Sequence, residues 1–64
     1  MVKINGKEID VAGKTLEEYL ATTKYDLKRV VVDRNGDIVP KAQYGDTVLM
    51  DGDRVEVVTF VGGG

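Results

Sequence analysis

The chain of 64 residues has no cysteine, no histidine and no tryptophan, and only one proline. The lack of cysteine excludes disulfides, zinc-thiolate centres and thiol nucleophiles together. The lack of histidine removes the usual general base near neutral pH and the commonest metal ligand. A chain this short buries only about 60% of the surface its unfolded form exposes, which leaves no volume for a deep active-site cavity. The expectation is a single domain over residues 1–64 that is not an enzyme, holds no metal and binds no cofactor itself. Charge is not concentrated either: 9 Lys and Arg stand against 11 Asp and Glu, for a net charge of -2. The cations are scattered singly, with no basic patch able to displace counterions from nucleic acid. No apolar run approaches the roughly 18 residues of a membrane span, and Met1-Val2-Lys3-Ile4-Asn5 is no signal-peptide core. Nucleic acid and membrane are therefore not expected as partners, and a cytoplasmic location is.

Glycine, by contrast, is abundant, with eight residues. Gly6, Gly13, Gly36, Gly45 and Gly52 fall at breaks between patterned segments. The other three close the chain as Gly62-Gly63-Gly64. Consecutive glycines lose the most backbone entropy on ordering and bring no side chain to pack, so they are not there for stability. They follow directly on Arg54-Val55-Glu56-Val57-Val58-Thr59-Phe60-Val61, a strongly β-forming run. A rigid strand thus aims a flexible thread of bare backbone outward. Three residues reach at most about 10 Å, enough to enter a narrow channel where any Cβ would collide. The group delivered is the carboxylate of Gly64, with Gly62 and Gly63 as the part that threads into a partner's site.

The segments before the tail read in order. Val2 and Ile4 alternate with Lys3 and Asn5, Asn5-Gly6 turns the chain, and Ile9 and Val11 alternate with Glu8 and Asp10. This predicts a hairpin with a type I′ turn, whose two central residues need positive φ. Thr15-Leu16-Glu17-Glu18 has the form of a capping box. Leu16, Tyr19, Leu20 and Thr23 share one helical face, predicting a helix of three turns to about Lys24, with Lys24 suiting the dipole of its last turn. Val30-Val31-Val32 reads as a strand covered on both faces or as the end of a strand, Asn35-Gly36 as a second turn, and Ile38-Val39 as a short edge strand stopped by Pro40. Gly45-Asp46 marks a turn, Val48-Leu49 buried anchors, and Asp51-Gly52-Asp53 the turn launching the last strand. The predicted class is α+β: one helix across a small mixed sheet of four to five strands, the first and last parallel at its centre. This is the β-grasp, or ubiquitin-like, arrangement, with ferredoxin-like and SH3-like arrangements open on element order alone.

The Asn-Gly hairpin, Thr15-Leu16-Glu17-Glu18-Tyr19-Leu20, the stretch from Val31 to Pro40, the stretch from Leu49 to Val58 and the terminal Gly63-Gly64 together resemble the ThiS family of sulfur carriers in thiamine thiazole biosynthesis. The likeness covers nearly the whole chain and departs from a common family ending in having a third glycine, Gly62. It implies a carrier whose C-terminal Gly64 is adenylated with ATP by an E1-like adenylyltransferase (ThiF type) and converted to a thiocarboxylate. It also implies a cysteine desulfurase or other sulfur donor, and a thiazole synthase (ThiG type) as acceptor. Physical chemistry agrees that a carboxylate, ionised at neutral pH and a poor electrophile, must be activated first. A monomer is expected when free. Two other uses of the same tail are a carrier for molybdenum cofactor synthesis and a ubiquitin-like modifier that forms isopeptide bonds. A β-grasp interaction module with an inert tail is a third reading.

Strict alternation in the last strand puts Val55, Val57, Thr59 and Val61 on one side and Arg54, Glu56, Val58 and Phe60 on the other. If the first set faces the helix, Val58 and Phe60 form an exposed apolar pair beside the tail, a candidate docking anchor. Asp33-Arg34-Asn35-Gly36-Asp37 superficially suggests a calcium loop, but Ile38 stands where glycine is required and Tyr44 where glutamate is. Asp51 and Asp53 read as turn formers rather than a catalytic pair. Tyr19 is expected in the core, Tyr25 and Tyr44 are ambiguous, and Glu8, Asp10, Glu17 and Glu18 form a solvated face suited to steering a basic partner.

Overall fold

A computed structural model describes residues 1–60 of the chain. Residues 61–64 lie outside it, and with them the expectations that Val61 faces the helix and that Gly62, Gly63 and Gly64 form the delivering tail. Strands β1 (Val2–Ile4) and β2 (Lys7–Ile9) are followed by helix α1 (Leu16–Ala21), then β3 (Val30–Arg34) and β4 (Asp37–Val39). A 3-10 turn over Lys41–Gln43 precedes β5 (Arg54–Thr59). The sheet order is β2-β1-β5-β3-β4, with β1 and β5 parallel and the other neighbours antiparallel. The order and the central parallel pair are those of the β-grasp.

Both Asn-Gly turns are type I′ by their backbone. Asn5 and Gly6 have φ of 51° and 84°, and Asn35 and Gly36 of 53° and 91°. Asparagine and glycine are the residues that hold positive φ at least cost, which is why each hairpin turns where it does. Pro40 ends β4 at the sheet edge, where its missing N–H leaves no gap in a ladder.

Helix α1 closes on one face of the sheet. Thr15 caps it as read: the Glu18 N–H donates to Thr15 Oγ1 at 3.1 Å, and the Thr15 N–H donates to Glu18 Oε1 at 2.8 Å. Leu16, Tyr19 and Leu20 are buried against Val2, Ile4, Val30, Val32, Val55 and Val57. Full burial of Leu16, Leu20 and Leu49 contributes about 1.5–3 kcal/mol each.

Three expectations are corrected. The helix stops at Ala21 after six residues instead of running to Lys24. The Thr22 and Thr23 hydroxyls donate to the Tyr19 and Leu20 carbonyls, both at 2.7 Å, so β-branched hydroxyl residues bond back onto the last turn and end it. Thr23 and Lys24 therefore lie beyond the helix, and its last turn carries no cation. Val48 is 42% exposed, while Leu49 is fully buried. The segment there is extended, with Leu49 N–H donating to Lys14 O at 2.8 Å, so only alternate side chains point inward. In β3, Val30 and Val32 are buried and Val31 is only half-covered, so the strand is packed on one face, not two.

Candidate functional site

Strand β5 runs through the middle of the sheet, and the described chain ends one residue beyond it. At its start, Asp53 is 8% exposed and accepts three hydrogen bonds. Met50 N–H and Arg34 Nε donate to its Oδ2, each at 2.9 Å, and Asn35 Nδ2 donates to its Oδ1 at 3.1 Å. Burial pushes the Asp53 carboxyl up, but the Met50 N–H, the Asn35 amide and the Arg34 guanidinium together outweigh it and hold the group below its ordinary value. Asp53 is thus more than a turn former. It ties β5 to the β3–β4 turn.

In the middle of β5 a second polar device operates. Strand β1 pairs with β5 only through Lys3 and Ile4. Past that point Asn5 takes over with its side chain: Val57 N–H donates to Asn5 Oδ1 at 2.8 Å, and Asn5 Nδ2 donates to Val57 O at 3.2 Å. The carboxamide acts as one further peptide unit of β1, after the main chain has already turned away. Asn35 plays a related part on the other side, accepting from Arg54 N–H at 2.9 Å.

At the far end of β5, the predicted docking pair is in the open. Val58 is 55% and Phe60 60% exposed. Val58 lies across from Val31 in register, so the two make a small apolar patch on the sheet face away from the helix. Phe60 N–H donates to Arg29 O at 2.8 Å, which holds the residue alongside β3 beyond the last strand pair. Phe60 also borders a shallow hollow of about 620 Å³, shared with Tyr19, Tyr25, Lys24, Asp26 and Arg29. Tyr19 is buried and Tyr25 half-buried, and burial pushes the Tyr19 phenol up, keeping it neutral. The hollow, like the Asn5 clamp, is not legible from spacing: it forms because the helix ends early and residues 23–29 cross back beside β5.

Among the described residues, no group of three or more Asp, Glu, His or Cys is placed to hold a metal ion. Asp51 and Asp53 do not form a carboxylate pair for proton transfer, since Asp51 is exposed and Asp53 is engaged with Arg34. No helix among the described residues is long and apolar enough to cross a membrane.

A mixed five-strand sheet with parallel central strands, one short helix on a single face and the last strand leading out of the core defines a ubiquitin-like β-grasp protein. The crystal structure of a thiamine biosynthesis protein (ThiS) from Geobacter metallireducens superposes with a TM-score of 0.77 at 31% identity, covering 98% of this chain and 97% of that one. The sequence profile of the ThiS family matches residues 2–64, and the chain belongs to that family. It is 38% identical to the sulfur carrier protein ThiS of Bacillus subtilis over the full length of both. It is also 44% identical to a thiazole synthase of Paramagnetospirillum magneticum, matched over 95% of this chain but only 19% of that protein. The chain thus spans about a fifth of the thiazole synthases it matches and all of the free carrier.

Proposed function

We propose that the chain is a sulfur carrier for thiazole formation in thiamine biosynthesis, a protein co-substrate and not a catalyst. The observation that carries this reading is the full-length match to a sulfur carrier protein ThiS, with a glycine tail directly beyond a strand locked at both Asp53 and Asn5. The Gly64 carboxylate attacks the α-phosphorus of ATP in an E1-like adenylyltransferase, and pyrophosphate leaves. The acyl-adenylate is then an electrophile: the outer sulfur of a persulfide made by a cysteine desulfurase displaces AMP to give an acyl disulfide, and a second thiol cleaves it to a Gly64 thiocarboxylate and a disulfide, whereas a donor that supplies sulfide gives the thiocarboxylate directly. ATP belongs to the activating enzyme and not to this chain. Gly62 and Gly63 thread the tail, because a channel that fits bare backbone rejects longer side chains. A thiazole synthase accepts the sulfur; relatives in which a similar stretch shares one polypeptide with a thiazole synthase support that pairing. Val58 and Phe60 are the exposed anchors through which the folded part docks.

The test is the intact mass of the protein made together with its activating enzyme and sulfur donor, followed by fragmentation of the C-terminal peptide. The expected species is heavier by the difference between sulfur and oxygen, with the gain on Gly64, and it disappears when Gly64 is deleted. An unmodified mass would count against the carrier reading, and conjugates of higher mass would replace it with that of a modifier.

A further inference from the structure

Among the described residues, the hydrogen-bond parity of β5 leaves one part of its edge open near its C-terminal end. Antiparallel pairs alternate between residues that exchange hydrogen bonds and residues that do not. Asn35 N–H bonds Arg54 O and Phe60 N–H bonds Arg29 O, so the even-numbered residues of β5 turn their peptide groups toward β3. The odd-numbered ones turn theirs toward β1. There, Asp53 O accepts from Lys3 N–H, Val55 O from Asn5 N–H, and Val57 is satisfied by the Asn5 carboxamide. Thr59 comes next. Among the described residues nothing bonds its N–H or its C=O, and the residue is exposed. An unpaired edge is a template for another strand.

The surroundings say what kind of strand fits. The Thr59 edge opens over the hollow with Tyr19, Tyr25 and Phe60, and two cations, Lys24 and Arg29, stand there against one carboxylate, Asp26. The Arg29–Asp26 pair is long, at 3.7 Å, and exposed on both sides, so it leaves the guanidinium free to meet another acid. On a chain with a net charge of -2, this is a local positive spot. We propose that the protein that activates the tail adds an extended segment to β5 at Thr59, seating an apolar side chain in the hollow and a neighbouring carboxylate on Lys24 and Arg29. Strand addition draws affinity from main-chain bonds and selectivity from the side-chain pocket, and here it holds the chain just before the tail enters the partner. The inference rests on the carrier reading.

The test uses Thr59→Pro, because the Thr59 N–H takes no part in the β3 ladder and an outward-facing edge N–H is where proline is tolerated. Thr59→Pro is expected to keep its melting temperature within a few degrees and to bind the adenylyltransferase at least about tenfold more weakly, the loss expected of an interface hot spot. Thr59→Val keeps the N–H and should bind as the native chain does. Arg29→Glu should also weaken binding. In the native complex, amide exchange at Thr59 should slow markedly, which decides the matter even if Thr59→Pro fails to fold. Unchanged exchange at Thr59, or full affinity of a folded Thr59→Pro chain, would overturn the proposal. So would Thr59 protection that arises from self-association without the enzyme. If the native chain forms thiocarboxylate while Thr59 stays unprotected, the edge inference alone fails. If no thiocarboxylate forms at all, the carrier reading has failed first.

Discussion

Asp53 shows how much one residue can carry in a protein of this size. Its carboxylate gathers a main-chain N–H, an amide and a guanidinium at the start of β5, and it is nearly buried while doing so. Asp53→Asn keeps the shape but exchanges the anion for an amide, weakening the bonds from Arg34 and Met50. The expected loss is about 2 kcal/mol, or roughly 10 °C in the melting temperature of so small a domain. The pH dependence has a definite sign. Asp53 is held below the ordinary carboxylate value, so its contribution is complete at pH above that value and is lost as pH falls through the lower folded one. Urea midpoints measured from neutral pH down into acid should therefore converge for the native and Asp53→Asn chains. Curves that stay parallel to the lowest pH would rule out the charged network as the cause.

At the scale of the element, helix α1 is the fragile piece. It spans only six residues, less than two turns, which is too short to persist without its cap and its packing. Thr15→Ala removes the acceptor for the Glu18 N–H, while the Glu18 carboxyl, held low chiefly by the main-chain N–H of residue 15, keeps that bond. The cost should be about 1 kcal/mol in urea denaturation, with Thr15→Ser restoring most of it. A Thr15→Ala chain as stable as the native one would show that packing alone holds the helix. The cap was legible in the sequence because it is local: residues three apart make both bonds. The same holds for the Asn-Gly turns, where backbone sterics at adjacent positions decide the outcome, and for the alternation of β5. The end of the helix was not legible. Thr23 fits the apolar stripe by spacing, but its hydroxyl has a carbonyl within reach and the chain leaves the helix. Nor was the Asn5 clamp on Val57, since it joins residues 52 positions apart and depends on how far β1 runs before it turns. Val48 and Leu49 read alike as apolar neighbours, and only the extended backbone separates the exposed one from the buried one.

At the scale of the molecule, β5 joins two ends with opposite demands. Its first half is buried in the core and tied at Asp53, so that end carries stability. Its second half leaves the core, with Val58 and, just past the strand, Phe60 exposed beside Val31 and the hollow, so that end presents apolar surface to solvent. The separation predicts that the two properties come apart under substitution. Phe60→Ala and Val58→Ala remove side chains already more than half in water, and should shift stability by no more than about 0.5 kcal/mol. Leu49→Ala, which empties a fully buried site, should cost about 2–5 kcal/mol, enough to unfold much of a population whose whole margin is small. Binding to the activating enzyme should rank differently: Phe60→Ala is expected to weaken it about tenfold or more, as loss of an aromatic anchor does. Calorimetric titration of each variant, with its fold checked by thermal melting, measures both quantities on one sample. Phe60→Ala that melts as the native chain and binds with full affinity would remove Phe60 from the docking surface and leave Val58 with Val31 as the anchor. Weak binding by a stable chain would show that this end of β5 was kept exposed for a partner, with the stability of the fold supplied from the other end.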